Sequence, residues 1–286
     1  MSRSKSFLLL HVIVFLWGFT GIIGKELQFS VNVLVFLRMA IALVSIGLYA
    51  FLFNKSIKLA VRDIFKLIVI GGLIAAHWLC FFESIHSSNV SIALSVVSTT
   101  TFFVALISPI FNRKKWNLKE LFLGLFVVLG VSLIFQAEGI YVAGIVYGLL
   151  AALFAATFSS FNGIFIQRIS ATSIAFYEML GGTLVLLVAL LMRGEFQVIG
   201  EITGKQWLLL IILGTVTTAF AFIASVEVMK QLSPFSCAIA INLEPIYTIL
   251  FALWLYGSSE YMQPMFYVGA GIILVSVWLN TKRKVH

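Results

Sequence analysis

A run of about 20 predominantly apolar residues suffices to cross the roughly 30 Å hydrocarbon core of a bilayer. This chain of 286 residues carries ten such runs, at about 6–24, 33–53, 65–83, 89–111, 118–136, 142–167, 172–192, 206–229, 234–256 and 264–281. The longest connection, Arg193 to Lys205, is too short for a domain, and no low-complexity tract or linker intervenes. Charged residues make up 10% of the chain against about a quarter in soluble proteins, and mean hydropathy is +1.09, which excludes a soluble globular class. Arg3 and Lys5 before an apolar stretch imitate a secretory signal. No small-residue cleavage site follows, so the stretch reads as the first span. The expectation is an all-α integral membrane protein of ten transmembrane helices.

The net charge of +8 follows from orientation rather than from a nucleic-acid partner. Short loops rich in Lys and Arg stay in the cytoplasm. Fifteen basic residues fall on the side that holds both ends, including Lys55, Lys58, Arg62, Lys66, Arg113, Lys114, Lys115, Arg168, Lys282, Arg283 and Lys284. Only Lys25, Arg193 and Lys205 fall opposite, so both termini are expected to be cytoplasmic. Cys80 and Cys237 lie within apolar runs and read as packing residues.

The halves repeat. Trp17 to Ile22 aligns with Ser159 to Ile164 at a shift of 142, and Phe36-Leu37-Arg38-Met39 with Phe176-Tyr177-Glu178-Met179 at 140. Ser91 to Leu94 aligns with Ser236 to Ile239 at 145, as does Gly124 with Gly269. Five crossings per copy is an odd number, so the second copy, 138–286, enters from the side opposite to the first, 1–137. That is a 5+5 inverted-topology repeat, an arrangement that places a substrate site between copies near the midplane.

Several polar residues break the apolar pattern at depth. Asn242-Leu243-Glu244-Pro245 puts an amide, a carboxylate and a proline inside the ninth run. An ionisable group there costs about 2.5 to 3.5 kcal/mol on insertion scales and belongs against a bundle interior or a wet cavity. Pro245 cannot donate to the carbonyl of Ile241, which leaves an acceptor free beside Asn242 and Glu244. Glu244 reads either as a site carboxyl or as a neutral, hydrogen-bonded group at a kink. Arg38 reads as snorkelling to the outer interface, as bonding to a neighbouring carbonyl, or as holding a substrate carboxylate at the external gate, and Glu178, its repeat counterpart, reads as a gate residue or a structural acceptor. His77 and Trp78 lie on a ring-rich stretch of the third run with Phe81 and Phe82. Ser98 to Thr101 is the first-half counterpart of Glu244-Pro245, its hydroxyls either wetting a cavity or bonding back to the helix.

The chain resembles the EamA-type branch of the drug/metabolite transporter superfamily. The marks are Trp17-Gly18 followed by Gly24-Lys25, Phe36 to Ala42, Pro109, Gly124 with Gly130, and Leu243-Glu244-Pro245. Two turns depart from the family pattern: Gly257-Ser258-Ser259-Glu260 where Gly-Glu is usual, and Phe111-Asn112-Arg113-Lys114, which lacks an acid. The resemblance implies a ten-helix inverted-repeat carrier that exports small metabolites such as amino acids, in a bacterial plasma membrane. No basic residue lies deep in a second-half span, which disfavours phosphorylated substrates.

The expected function is a secondary transporter working by alternating access on a zwitterionic or weakly amphipathic metabolite. The alternatives are a membrane receptor or assembly subunit and an intramembrane enzyme. No metal spacing, nucleophile elbow or phosphate loop occurs, and no cofactor is called for. Expected substrate-binding residues are Arg38, His77, Trp78, Thr99, Asn162, Tyr177, Glu178, Asn242, Glu244 and Tyr247. Expected partners are a small-molecule substrate and the lipid bilayer; proton exchange at a buried Glu244 and facilitated diffusion both fit these residues.

Overall fold

A computed structural model describes residues 1–137, 141–257 and 263–281, all of whose regular elements are helical. The boundary between the expected repeats, Ser258 to Glu260 and the basic residues Lys282 to Lys284 lie outside the described residues.

Short polar residues set where helices begin. Ser2, Ser30, Asn89, Ser170, Thr203 and Ser233 each accept a first-turn backbone N–H at the starts of α1 (Arg3–Trp17), α3 (Val31–Leu52), α5 (Val90–Val97), α9 (Ala171–Arg193), α10 (Gly204–Gly214) and α12 (Pro234–Ile241). Such caps satisfy donors that a helix start cannot satisfy itself. The remaining helices are α2 (Thr20–Leu27), α4 (Val61–Ser87), α6 (Thr100–Asn112), α7 (Leu118–Ala137), α8 (Val142–Phe165), α11 (Ala221–Val228), α13 (Glu244–Tyr256) and α14 (Pro264–Thr281). Eight helical runs among the described residues are long and apolar enough to cross a membrane. The fifth and tenth runs of the sequence are the helices α7 and α14, which pack on each other. Large apolar side chains such as Leu8, Val44, Phe122, Val188 and Trp254 stay exposed, as a lipid-facing surface requires.

Contacts at the helix ends sort the connections into two groups. At one end Arg168 makes two 2.7 Å bonds to Asp63, Ser173 Oγ donates to Ser56 O, and Gln167 Nε2 donates to Met229 O. At the other, Ser30 Oγ donates to Glu195, Gln206 Nε2 to Leu27 O, and Ser84 Oγ to Gly144 O. The first group is the end from which α1 departs and is called the near end below; the second is the far end.

Four runs are interrupted inside the bundle. The first breaks at Gly18-Phe19, the fourth at Ser98-Thr99 and the ninth at Asn242-Leu243, while the eighth widens into a π segment over Thr215–Phe220. A break at this depth frees backbone groups that only the protein can satisfy. Ser98, Thr99 and Thr100 turn their hydroxyls back onto the carbonyls of Leu94, Val96 and Val97 at 2.7–3.1 Å. The kink expected at Pro245 takes a different form. The helix ends at Ile241 and Pro245 falls in the first turn of α13, where a missing N–H costs nothing. Asn242 Nδ2 donates to Thr101 Oγ1 at 3.0 Å and ties the fourth-run and ninth-run breaks together.

Backbones touch where α4 crosses α9. A Cβ at Gly71 would overlap Glu178 O, and one at Gly181 would overlap Ile68 O and Cα. This is the small-residue packing that brings membrane helices together. The tight side of the bundle, α8 against α4, α5 and α6, contrasts with sparser contact between α1 and α12 or α13.

Two outcomes follow. Gly181→Val destabilises the detergent-solubilised protein by at least about 1–3 kcal/mol, the cost of overpacking, in thermal unfolding followed by circular dichroism; Gly200→Ala, with open space around it, leaves the transition in place. A double-mutant cycle of Asn242→Leu and Thr101→Val yields a coupling energy of about 0.6–1.7 kcal/mol, read from equilibrium denaturation.

Candidate functional site

The interrupted runs surround a cavity of about 130 Å³. That is well above the roughly 10–15 Å³ that a single water needs. Its walls run from Leu94, the fifth residue of α5, past Trp17, Thr20, Trp78 and Leu10 to the near end at Met229 and Pro234. No lining residue belongs to the far end, so the cavity is directed one way. The loose contact of α1 with α12 and α13 accounts for the gap; tight packing of α8 on α4 to α6 closes the opposite wall.

Arg38 dominates the cavity's electrostatics. Its Nε donates to Thr218 Oγ1 at 2.7 Å, and its guanidinium carbon sits 4.0 Å from the Trp78 ring centroid. The π segment makes the first contact available, because Thr218 Oγ1 itself donates five residues back to Leu213 O. The residue is 2% exposed, so the guanidinium does not snorkel to an interface. Nη1 is buried with no partner. A buried guanidinium without an ion pair is costly, and an arriving anion relieves it.

Glu244 supplies the opposite charge. It is the first residue of α13 and lines the same cavity, and among the described residues no side chain bonds to its carboxyl. Arg38 and Glu244 interact electrostatically without forming an ion pair. Asn242, at the break beside it, also lines the cavity.

His77 completes a ring-rich wall. Its Nδ1 lies 2.9 Å from Ala151 O, and since a carbonyl only accepts, Nδ1 carries the proton there and Nε2 is left as the other ring nitrogen. The imidazole meets Phe158 edge-on at 5.6 Å between centroids. Trp78, Phe81, Phe158 and Phe222 line the cavity with their rings.

Five of the ten expected residues, Arg38, His77, Trp78, Asn242 and Glu244, therefore line one cavity. The other five lie elsewhere. Thr99 is buried with its hydroxyl on Val96 O, while its neighbours Ser98 and Thr100 face the space. Tyr247 turns outward, its hydroxyl 2.7 Å from His11 Nε2. Tyr177 packs edge-on against Phe176. Asn162 and Glu178 bond to each other in a sealed position, Nδ2 to Oε2 at 3.2 Å. Helix rotation separates these groups from the cavity, and depth along the sequence does not reveal rotation. Thr217 and Thr218 were missed, although three threonines within Thr215-Val216-Thr217-Thr218 form a hydroxyl run like Ser98 to Thr101. Trp17, whose Nε1 donates to Thr217 O at 2.9 Å, is a cavity residue that the sequence offered only as a mark of the repeat and of the family resemblance.

Comparison with known proteins agrees with this architecture. The sequence profile described as the EamA-like transporter family matches residues 4–136 and again 142–282. An uncharacterized transporter, YxxF of Bacillus subtilis (strain 168), is 23% identical over 285 residues, covering 96% of this chain and 88% of that protein. The pseudopaline exporter CntI of Pseudomonas aeruginosa (strain UCBPP-PA14) is 30% identical over 190 residues, covering 64% of this chain and 63% of that protein. A solved crystal structure superposes with a TM-score of 0.73 at 15% identity, covering 99% of this chain and all of that one, and so shares the fold. The chain is a multi-pass membrane protein and belongs to the EamA-like transporter family of the drug/metabolite transporter superfamily.

Proposed function

We propose that this transporter is a secondary carrier for a zwitterionic, amino-acid-like metabolite. The observation that supports the substrate class is the pair of opposite charges, Arg38 and Glu244, both without an ion-pair partner on one small cavity. In this reading the Arg38 guanidinium takes the carboxylate of the substrate and Glu244 its ammonium group. Trp78, Phe158 and Phe222 take an apolar side chain, and His77 and Asn242 supply further hydrogen bonds. A ligand carrying both charges restores to each buried group the partner it lacks, while a singly charged analogue leaves one unpaired.

The carrier crosses the membrane ten times as two inverted five-helix repeats, 1–137 and 138–286, with both termini in the cytoplasm of a bacterial cell. The fifteen-to-three distribution of basic residues and the repeat shifts support this topology. The near end is then cytoplasmic, and the cavity loads from inside, as export requires. Alternation arises when the loose α1 wall and the tight α8 wall exchange roles, as the repeat relation allows.

Counterflow in proteoliposomes tests the substrate class. Labelled neutral amino acids exchange across the membrane, and the corresponding amines and carboxylic acids compete weakly; equal competition by an amine that lacks the carboxylate overturns the zwitterion reading. Removing a buried charged partner of a ligand costs about 2–5 kcal/mol, so Arg38→Ala lowers exchange at subsaturating substrate by about 30-fold or more. Glu244→Gln weakens zwitterion competition about 10-fold or more, while carboxylates without an amine compete as before or better.

A further inference from the structure

Among the described residues, the one fully buried acid that the cavity does not use is Glu178. It is 0% exposed, and Asn162, 1% exposed, is its hydrogen-bond partner. The amide and carboxyl face each other across Asn162 Nδ2 to Glu178 Oε2, and the two remaining oxygens, Glu178 Oε1 and Asn162 Oδ1, both lack a donor. A carboxylate leaves that defect unrepaired, since an ionised carboxyl only accepts. A neutral carboxyl cures both orphans with one O–H directed from Oε1 to Oδ1, which gives the reciprocal two-bond pairing of an acid with an amide.

No cation replaces that proton. Among the described residues, the titratable groups on the elements packed against α9 are engaged elsewhere or distant along their helices. Arg38 of α3 is bound to Thr218 and Trp78, and His77 of α4 to Ala151 O. Asp63 pairs with Arg168 at the near end, where Arg62 and Lys66 also lie, and Glu227 of α11 pairs with Lys230. Cys80, Glu83 and His86 occupy the far half of α4, Glu195 and Arg193 the far end, and Tyr177 of α9 packs on Phe176. The crossing at Gly71 is made with the backbone carbonyl of Glu178 and not with its carboxyl.

We infer that Glu178 and Asn162 form a proton-binding site, loaded in this conformation, with the carboxyl proton donated to Asn162 Oδ1. The access route rests on the inverted-repeat reading. Thr20 and Arg38, the repeat counterparts of Asn162 and Glu178, line the cavity that opens to the near end. Arg38 and Glu178 are each the eighth residue of their helices, counted from opposite ends of the bundle. When the two copies exchange conformations, Asn162 and Glu178 take the position of cavity residues open to the far end, and the proton meets that solution. The buried proton thus belongs to the near-open state alone.

Infrared spectra of the protein in lipid at neutral pH test the site directly. A carbonyl band of a protonated carboxyl is expected in the wild type and in Glu244→Gln, and is lost from the latter when Glu178→Gln is added. In Asn162→Leu the same band moves to the higher frequency of a carboxyl without an amide partner. Absence of the band from Glu244→Gln, or its survival when Glu178→Gln is combined with Glu244→Gln, overturns the inference. Should Glu178→Gln fail to fold, a band unmoved by Asn162→Leu does so. None of these readings requires transport, so failure of the zwitterion reading in counterflow leaves the proton site to be decided separately.

Discussion

Backbone that leaves the helix inside an apolar layer must find its hydrogen bonds within the protein, and this constraint organises the bundle. The breaks at Ser98-Thr99 and Asn242-Leu243 meet across the Asn242 to Thr101 bond. The π segment of the eighth run meets the first-run break through Trp17 and holds Arg38 through Thr218. Each irregularity is thus satisfied by, or next to, another one. The cavity lies among them because irregular backbone is tolerated at this depth where it packs on protein or lines a space.

Much of the scaffold was legible in the sequence. Among the described residues each apolar run falls on a helical stretch, eight of them long and apolar enough to cross a membrane, and the starts of six runs carry a serine, threonine or asparagine that caps them. The ninth-run break was signalled by Pro245. The first, fourth and eighth runs carry no proline at their interruptions, and those arise from partners distant in the chain, such as Thr217 O for Trp17 Nε1. Local propensity carries no record of such a partner.

The site was half legible for a related reason. A charged residue within an apolar run announces that it faces protein or cavity, which singled out Arg38, Glu178 and Glu244 alike. It does not announce which. Arg38 and Glu178 are each the eighth residue of a helix, yet one borders the open space and the other is sealed. The difference follows from the unequal packing of α1 and α8, a property of the conformation that the sequence does not specify.

The π segment has a consequence of its own. A π bulge is how a helix absorbs an extra residue without unravelling, and each added residue turns the helix beyond it by about 100°. Before the bulge, Gly214 lies against Ile41 and the carbonyl of Arg38; beyond it, Phe222 and Ser225 face the cavity. Thr215–Phe220 therefore acts as a phase shifter, letting one span present a close-packing face to the second helix and a lining face to the cavity.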